Sequence, residues 1–217
     1  MNYKPFKPNW TYTKINIDEI NQINEELINL FWEQYNPEDN VFAIGFLGET
    51  ADQIWDKLPL LKAWLEKNNL LRERWMSYFY SITEKKEFPI HIDYFNDDRF
   101  IAFNFPLINC ENTYTAWYNA TVNEKSPFSA EVNEDGTLRV VNPEDHGKEK
   151  SNDSYWCVQE TAKEIDRTLC DSPMIINTSI PHRPISTHNR LRVLFSMRLA
   201  PADFEKDVQP FIDQCQS

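Results

Sequence analysis

The 217-residue, 25.8 kDa chain carries 22 Lys and Arg against 34 Asp and Glu, a formal charge of −12 with a pI near 4.8. A field of that sign repels phosphate backbones and anionic headgroups, so nucleic acid and membrane surfaces are excluded as expected partners. With 41% hydrophobic and 14% aromatic residues, the chain has enough apolar material for one folded domain spanning 1–217.

The opening stretch MNYKPFKPNW has no apolar leader region, and no run approaches the roughly 20 apolar residues that span a bilayer, so the cytoplasm is the expected location. Cys110, Cys157, Cys170 and Cys215 form no CxxC pair and are expected as reduced thiols. The four glycines, Gly45, Gly48, Gly136 and Gly147, make neither GxGxxG nor a phosphate loop ending in GK[ST]. The commonest nucleotide-binding folds are thereby removed.

In chain order, Asn16 with Glu19 three residues later reads as a capping box, followed by Ile20, Ile23, Leu27 and Leu30 at helical spacing until Asn36-Pro37. A second helical region opens at Thr50 with Gln53, breaks at Pro59, and continues through Leu61, Trp64 and Leu65 to Asn68-Asn69. Residues 1–72 are therefore expected to be mostly helical. Beyond them, short aromatic and β-branched runs alternate with Asn, Asp and Pro clusters that serve as turn chemistry in place of glycine. Strands are expected at 74–82, 88–95, 99–108, 112–120, 137–141, 173–180 and 190–199, a spacing that suits a sandwich or barrel. A polar insertion near 121–156, including a surface loop at 142–155, interrupts this core, and 157–170 reads as one short helix.

Within FPIHIDYF, residues 88–95, His91 and Asp93 are one residue apart, so on a strand both side chains leave the same face. An imidazole and a carboxylate placed together suit iron, manganese or zinc, with a third ligand from elsewhere. A histidine hydrogen-bonded to its neighbouring carboxylate is the plain structural alternative. Near the other end, His182 precedes Arg192 by ten residues. In RLRVLFSMRL the residues Arg190, Arg192, Leu194, Ser196 and Arg198 share one face and Leu191, Val193, Phe195, Met197 and Leu199 the other. Taken alone, the basic face reads as solvated.

Taken together, HxD, a distant His and an Arg ten residues after it resemble the iron(II)/2-oxoglutarate-dependent oxygenase superfamily. The resemblance covers roughly 75–199. It implies a mainly β fold, with the double-stranded β-helix (jelly roll) core at 73–200 and the N-terminal helices packed on it. It further implies His91, Asp93 and His182 as iron ligands and Arg192 as the anchor for the far carboxylate of 2-oxoglutarate. Three ligands on one side of an octahedral metal leave room for a chelating 2-oxo acid and dioxygen, and a guanidinium forks onto a carboxylate. His188, ten residues before Arg198, is a rival, but it lies in the THN turn whereas His182 ends an apolar run. His146, in a charged loop, is expected to be inert.

The segment RFIAFNFPLINCENTYTAWY, 99–118, is similar to the strand pair after HxD in the aspartyl/asparaginyl β-hydroxylase-like branch, with Asn104 where that branch often has a histidine. Asn104 is either a co-substrate contact or a residue bonding backbone at a strand end. The implied function is a non-haem dioxygenase (oxidoreductase) using iron(II), 2-oxoglutarate and dioxygen to hydroxylate an amino-acid side chain, in a peptide or a small amino-acid-like substrate. Tyr78, Tyr80 and Trp117 are candidate pocket walls, and Arg183, Arg190 and Arg198 candidate receivers of a substrate carboxylate. An inactive jelly-roll binding protein and a cupin-like metal enzyme without 2-oxoglutarate stay open, as do the oligomeric state and the substrate.

Overall fold

The structure, a computed structural model, describes residues 10–38, 43–46, 49–71, 76–81, 88–93, 101–125, 129–132, 137–141, 155–187, 190–199, 206 and 208–216. A short strand β1 (Tyr12–Lys14) leads into helix α1 (Ile20–Gln34), strand β2 (Ala43–Phe46), helix α2 (Glu49–Ile54), a 3-10 turn at Trp55–Lys57 and helix α3 (Pro59–Lys67). Strands β3 (Met76–Ser81), β4 (His91–Ile92), β5 (Ile101–Ile108), β6 (Thr113–Asn119), β7 (Val122–Lys125), β8 (Ser129–Val132), β9 (Thr137–Val141) and β10 (Tyr155–Cys157) follow. A 3-10 turn at Gln159–Thr161 precedes β11 (Lys163–Leu169), β12 (Met174–Asn177), β13 (His182–Ser186) and β14 (Arg192–Leu199), and helix α4 (Gln209–Gln216) comes last.

The strands form two antiparallel sheets. One has eight strands in the order β1-β12-β5-β14-β3-β2-β9-β8, the other six in the order β11-β6-β13-β4-β10-β7. The protein is thus mainly β with few helices, in an arrangement consistent with a jelly-roll-like fold.

Alternation in the eight-stranded sheet separates two cores. Val193, Phe195, Met197 and Leu199 of β14, with Met76, Tyr78 and Tyr80 of β3 and Phe103 and Phe105 of β5, face Ile23, Leu27 and Phe31 of α1 and Leu61 and Leu65 of α3. The opposite face contributes Ala102, Met174 and Ile176, which meet Trp117 and Cys170 in the gap between the sheets. Tyr12 of β1 stacks on Trp117 of β6 across that gap, ring centroids 5.4 Å apart.

Turn chemistry follows the expectation closely. Among the described residues, the non-glycine residues with positive φ are all asparagines, Asn69 at 58°, Asn109 at 48° and Asn112 at 61°. Asparagine tolerates this left-handed region because its short amide bonds locally. Pro59 opens α3 without needing an N–H partner, and the Glu26 carboxylate of α1 accepts the free N–H groups of Leu60 and Leu61 at 3.0 and 3.2 Å.

Several sequence expectations are corrected. Asn16 does not cap α1: the helix begins at Ile20 with Glu19 as its N-cap and no side-chain cap bond. Thr50 lies within α2, which starts at Glu49. The N-terminal third contains strands β1 and β2, β1 pairing with β12 at the sheet edge and β2 running between β3 and β9. Residues 157–170 form no α-helix, because KEIDRTL is recruited as β11 along the edge of β6, paired from Lys163↔Asn119 to Leu169↔Tyr114. The insertion near 121–156 contributes strands to both sheets, with β8 and β9 extending the larger one. Residues 142–154 of its loop, including His146, lie outside the described residues, as does His188.

Candidate metal centre

His91 and His182 sit on neighbouring strands in direct register, β4 against β13, within a four-strand row Trp117↔His182↔His91↔Trp156. Direct pairing puts the rings on one face, with centroids 4.6 Å apart. Asp93 follows β4 and is fixed by its N–H bonding the carbonyl of Thr178 at 3.1 Å. One ligand atom from each of His91, Asp93 and His182 lies within 4.8 Å of the other two. The HxD spacing and the distant histidine therefore converge at one point.

Both imidazoles are oriented by the same local device. Nδ1 of His91 lies 2.9 Å from the Pro89 carbonyl and Nδ1 of His182 lies 2.9 Å from the Ile180 carbonyl, two residues back in each case. A carbonyl only accepts, so each Nδ1 carries the proton and each Nε2 presents its lone pair. Those Nε2 atoms are 3.6 Å from Asp93 Oδ1 and 3.9 Å from Asp93 Oδ2 respectively. Burial, followed by the neighbouring His91, pushes the His182 pKa down to about 4, leaving a neutral imidazole at neutral pH.

Asp93 has a second partner that the sequence reading did not assign. Arg198 reaches from β14 of the opposite sheet and donates from Nη2 to Asp93 Oδ2 at 2.6 Å, both groups being buried. Burial alone raises a carboxyl pKa, but Arg198, His91 and His182 outweigh it and hold Asp93 well below the ordinary carboxylate range. The signal available in sequence was its shared face with Arg192, six residues earlier.

Arg192 is buried between the sheets, at 7% exposure, and with the equally buried Arg198 it overturns the solvated reading of the basic face for every arginine but Arg190. The second sheet covers that face. Arg192 Nη2 lies 4.0 Å from Cys170 Sγ, its Nε has no hydrogen-bond partner, and no carboxylate pairs with it among the described residues. A buried guanidinium in this condition has a marked demand for an anion.

Other expected participants are placed elsewhere. Tyr78 and Tyr80 belong to the helix-facing core and do not wall the site, whereas Trp117 lies in the inter-sheet core beside His182. Arg183 donates from Nε to Tyr118 Oη at 3.0 Å, and Arg190 is exposed, 3.8 Å from Glu111. The four cysteines are free, Cys215 exposed and the other three buried. No helix among the described residues is long and apolar enough to cross a membrane.

No protein-family model matches the chain, and no curated protein matches it. Among solved structures it is similar to the non-heme alpha ketoglutarate dependent carbocyclase SnoK from nogalamycin biosynthesis. The two share 9% sequence identity with a TM-score of 0.40, over 92% of this chain and 85% of that one.

Proposed function

We propose that the protein is a non-haem iron(II)- and 2-oxoglutarate-dependent dioxygenase, built as a single domain on a double-stranded β-helix. The observation that carries this reading is the convergence of His91, Asp93 and His182, together with a buried Arg192 on the facing sheet that has no carboxylate partner among the described residues. Two imidazoles and one carboxylate are a donor set that iron(II) accepts, and the remaining coordination positions fall to other ligands. With a 2-oxo acid and dioxygen, iron held there supplies the oxidising power for hydroxylating a C–H bond.

The chain's own contribution is placement and charge. The carbonyls of Pro89 and Ile180 hold the ring tautomers, and Arg198 fixes the carboxylate. Arg192 and Arg198 put two positive charges against the single negative charge of Asp93, so the gap attracts a dianion although the protein as a whole is acidic. A guanidinium receives the far carboxylate of 2-oxoglutarate in a forked geometry. A metal enzyme that used no oxo acid would leave Arg192 buried without an anion, which disfavours the cupin-like alternative. A catalytically inactive binding protein retaining this fold would have no use for both the donor set and the buried cation. The proposed substrate class is an amino-acid side chain or small amino-acid-like molecule.

Calorimetric titration of anaerobic protein with iron(II), then 2-oxoglutarate, tests the reading. One iron is expected per chain, with metal binding lost in His91→Ala and Asp93→Ala. Arg192→Ala is expected to keep the metal but weaken 2-oxoglutarate by about 100-fold, as for removal of a charged hydrogen-bonding partner. Unchanged iron affinity in the two ligand variants defeats the proposal.

A further inference from the structure

The inner face of the six-stranded sheet carries one row of side chains, Trp117, His182, His91 and Trp156, on β6, β13, β4 and β10. Direct pairing puts neighbours in such a row on a common face. The two ends of the row differ. Trp117 is 0% exposed, stacks on Tyr12 and donates from Nε1 to the Asn177 carbonyl at 3.2 Å, so its flank is closed core. Trp156 is half-buried, as is His91 beside it. Cys157, the next residue of β10, joins Ile90, Ala116 and Tyr118 on the outer face, which by alternation leaves Trp156 on the inner one. A second ring lies against His91: half-buried Phe88 meets it edge to face, centroids 5.0 Å apart. The side chain of His91 is 12% exposed against 6% for His182, so the more open of the two imidazoles is the one flanked by Phe88 and Trp156.

Arg192 lies toward the opposite flank. Its Nη2 is 4.0 Å from the sulfur of Cys170, just past the end of β11, and that sulfur is 3.4 Å from Thr115 Oγ1 on β6. In the strand order β11-β6-β13-β4-β10-β7, the guanidinium is thus at the β11 and β6 side, the two histidines are in the middle, and Trp156 is beyond them. An oxo acid anchored on Arg192 reaches the ligands from the β6 side and leaves the β10 side to the molecule that is oxidised. What that side offers is aromatic surface. Half-buried indole and phenyl faces gain when a flat hydrocarbon group covers them, and a carboxamide or carboxylate laid on them gives up water for no hydrogen bond in return.

We propose that Trp156 is a specificity-determining residue that holds an aromatic amino-acid side chain of the substrate beside the metal centre, with Phe88 as a second wall. This rests on the oxygenase reading above and narrows its substrate class.

The test uses full-length protein labelled with fluorotryptophan and loaded with zinc and 2-oxoglutarate, the Trp156 fluorine resonance being identified by its absence from Trp156→Phe. Adding N-acetyl-L-phenylalaninamide at millimolar concentration is expected to shift the Trp156 resonance and leave that of Trp32, exposed on α1, in place. N-acetyl-L-asparaginamide is expected to shift neither. Because this measurement is made on unmutated protein, it does not depend on a variant folding. Trp156→Ala should weaken the phenylalanine probe by about tenfold or more, as for loss of a buried aromatic anchor, with zinc affinity within about twofold of wild type. An unmoved Trp156 resonance, or an asparagine probe that binds as well as the phenylalanine one, overturns the inference and leaves the oxygenase reading standing. Failure of wild type to bind zinc and 2-oxoglutarate overturns both.

Discussion

Arg198 and Asp93 show how one contact sets the properties of a ligand. The guanidinium occupies Oδ2 at 2.6 Å and leaves Oδ1 turned toward His91. Arg198→Met keeps much of the side-chain volume but removes the charge-assisted bond. It is expected to weaken metal binding by about 10- to 100-fold, as for loss of other groups that orient a metal ligand, and an unaltered metal titration would count against this role. Cys157 gives a pH prediction of the opposite sign from a paired carboxylate. Burial pushes its thiol from 9.0 up to about 11, so the folded chain keeps a proton that the unfolded chain releases. Its stabilising contribution is complete below about pH 9 and is lost as the pH rises toward about 11. Urea unfolding across that window should show a steeper fall in stability for wild type than for Cys157→Ala. In the same protein, a thiol reagent should modify exposed Cys215 first and reach Cys110, Cys157 and Cys170 only on unfolding.

At the scale of elements, α1 is tied to the sheet by a polar bond as well as by its apolar stripe. Tyr78 of β3 donates from Oη to the Leu27 carbonyl at 2.7 Å in a fully buried setting, and its ring packs on Phe31 and Phe195. Tyr78→Phe keeps the ring and removes the donor, and it should cost about 1 kcal/mol in urea unfolding. Metal binding should be unaffected, since Tyr78 faces away from the site. How legible an element was depended on whether its own pattern settled its fate. The stripe of Ile23, Leu27 and Leu30 specified α1, and strict alternation specified β14, because both are local periodicities. KEIDRTL was read as part of a helix, since its outer face is solvent-exposed and only pairing with β6 makes it a strand. HRPIS lay outside the expected strands for the same reason: its Pro and Ser are turn formers, and the neighbouring strands β6 and β4 hold it extended.

Across the whole molecule, the metal ligands come from one sheet and the arginines that balance them from the other, so a bound metal would tie the two layers together. Binding only to the folded chain stabilises it by mass action, about 2.7 kcal/mol at 100 times the dissociation constant. Iron(II) or zinc should therefore raise the melting temperature of wild type, a chelator should reverse the rise, and His182→Ala should show neither effect. The sequence by itself determined the identity of the donors, the common face of His91 and Asp93, the β-rich character after residue 75, and the use of asparagine in turns. Each of these follows from residue type or from a period of two or 3.6 along the chain. Only the tertiary structure decided that His182 stands in register with His91, that Arg198 reaches Asp93, and that the basic face of β14 is covered. These depend on strand register and on the packing of one sheet over the other, contacts between residues up to 105 positions apart that no local pattern encodes.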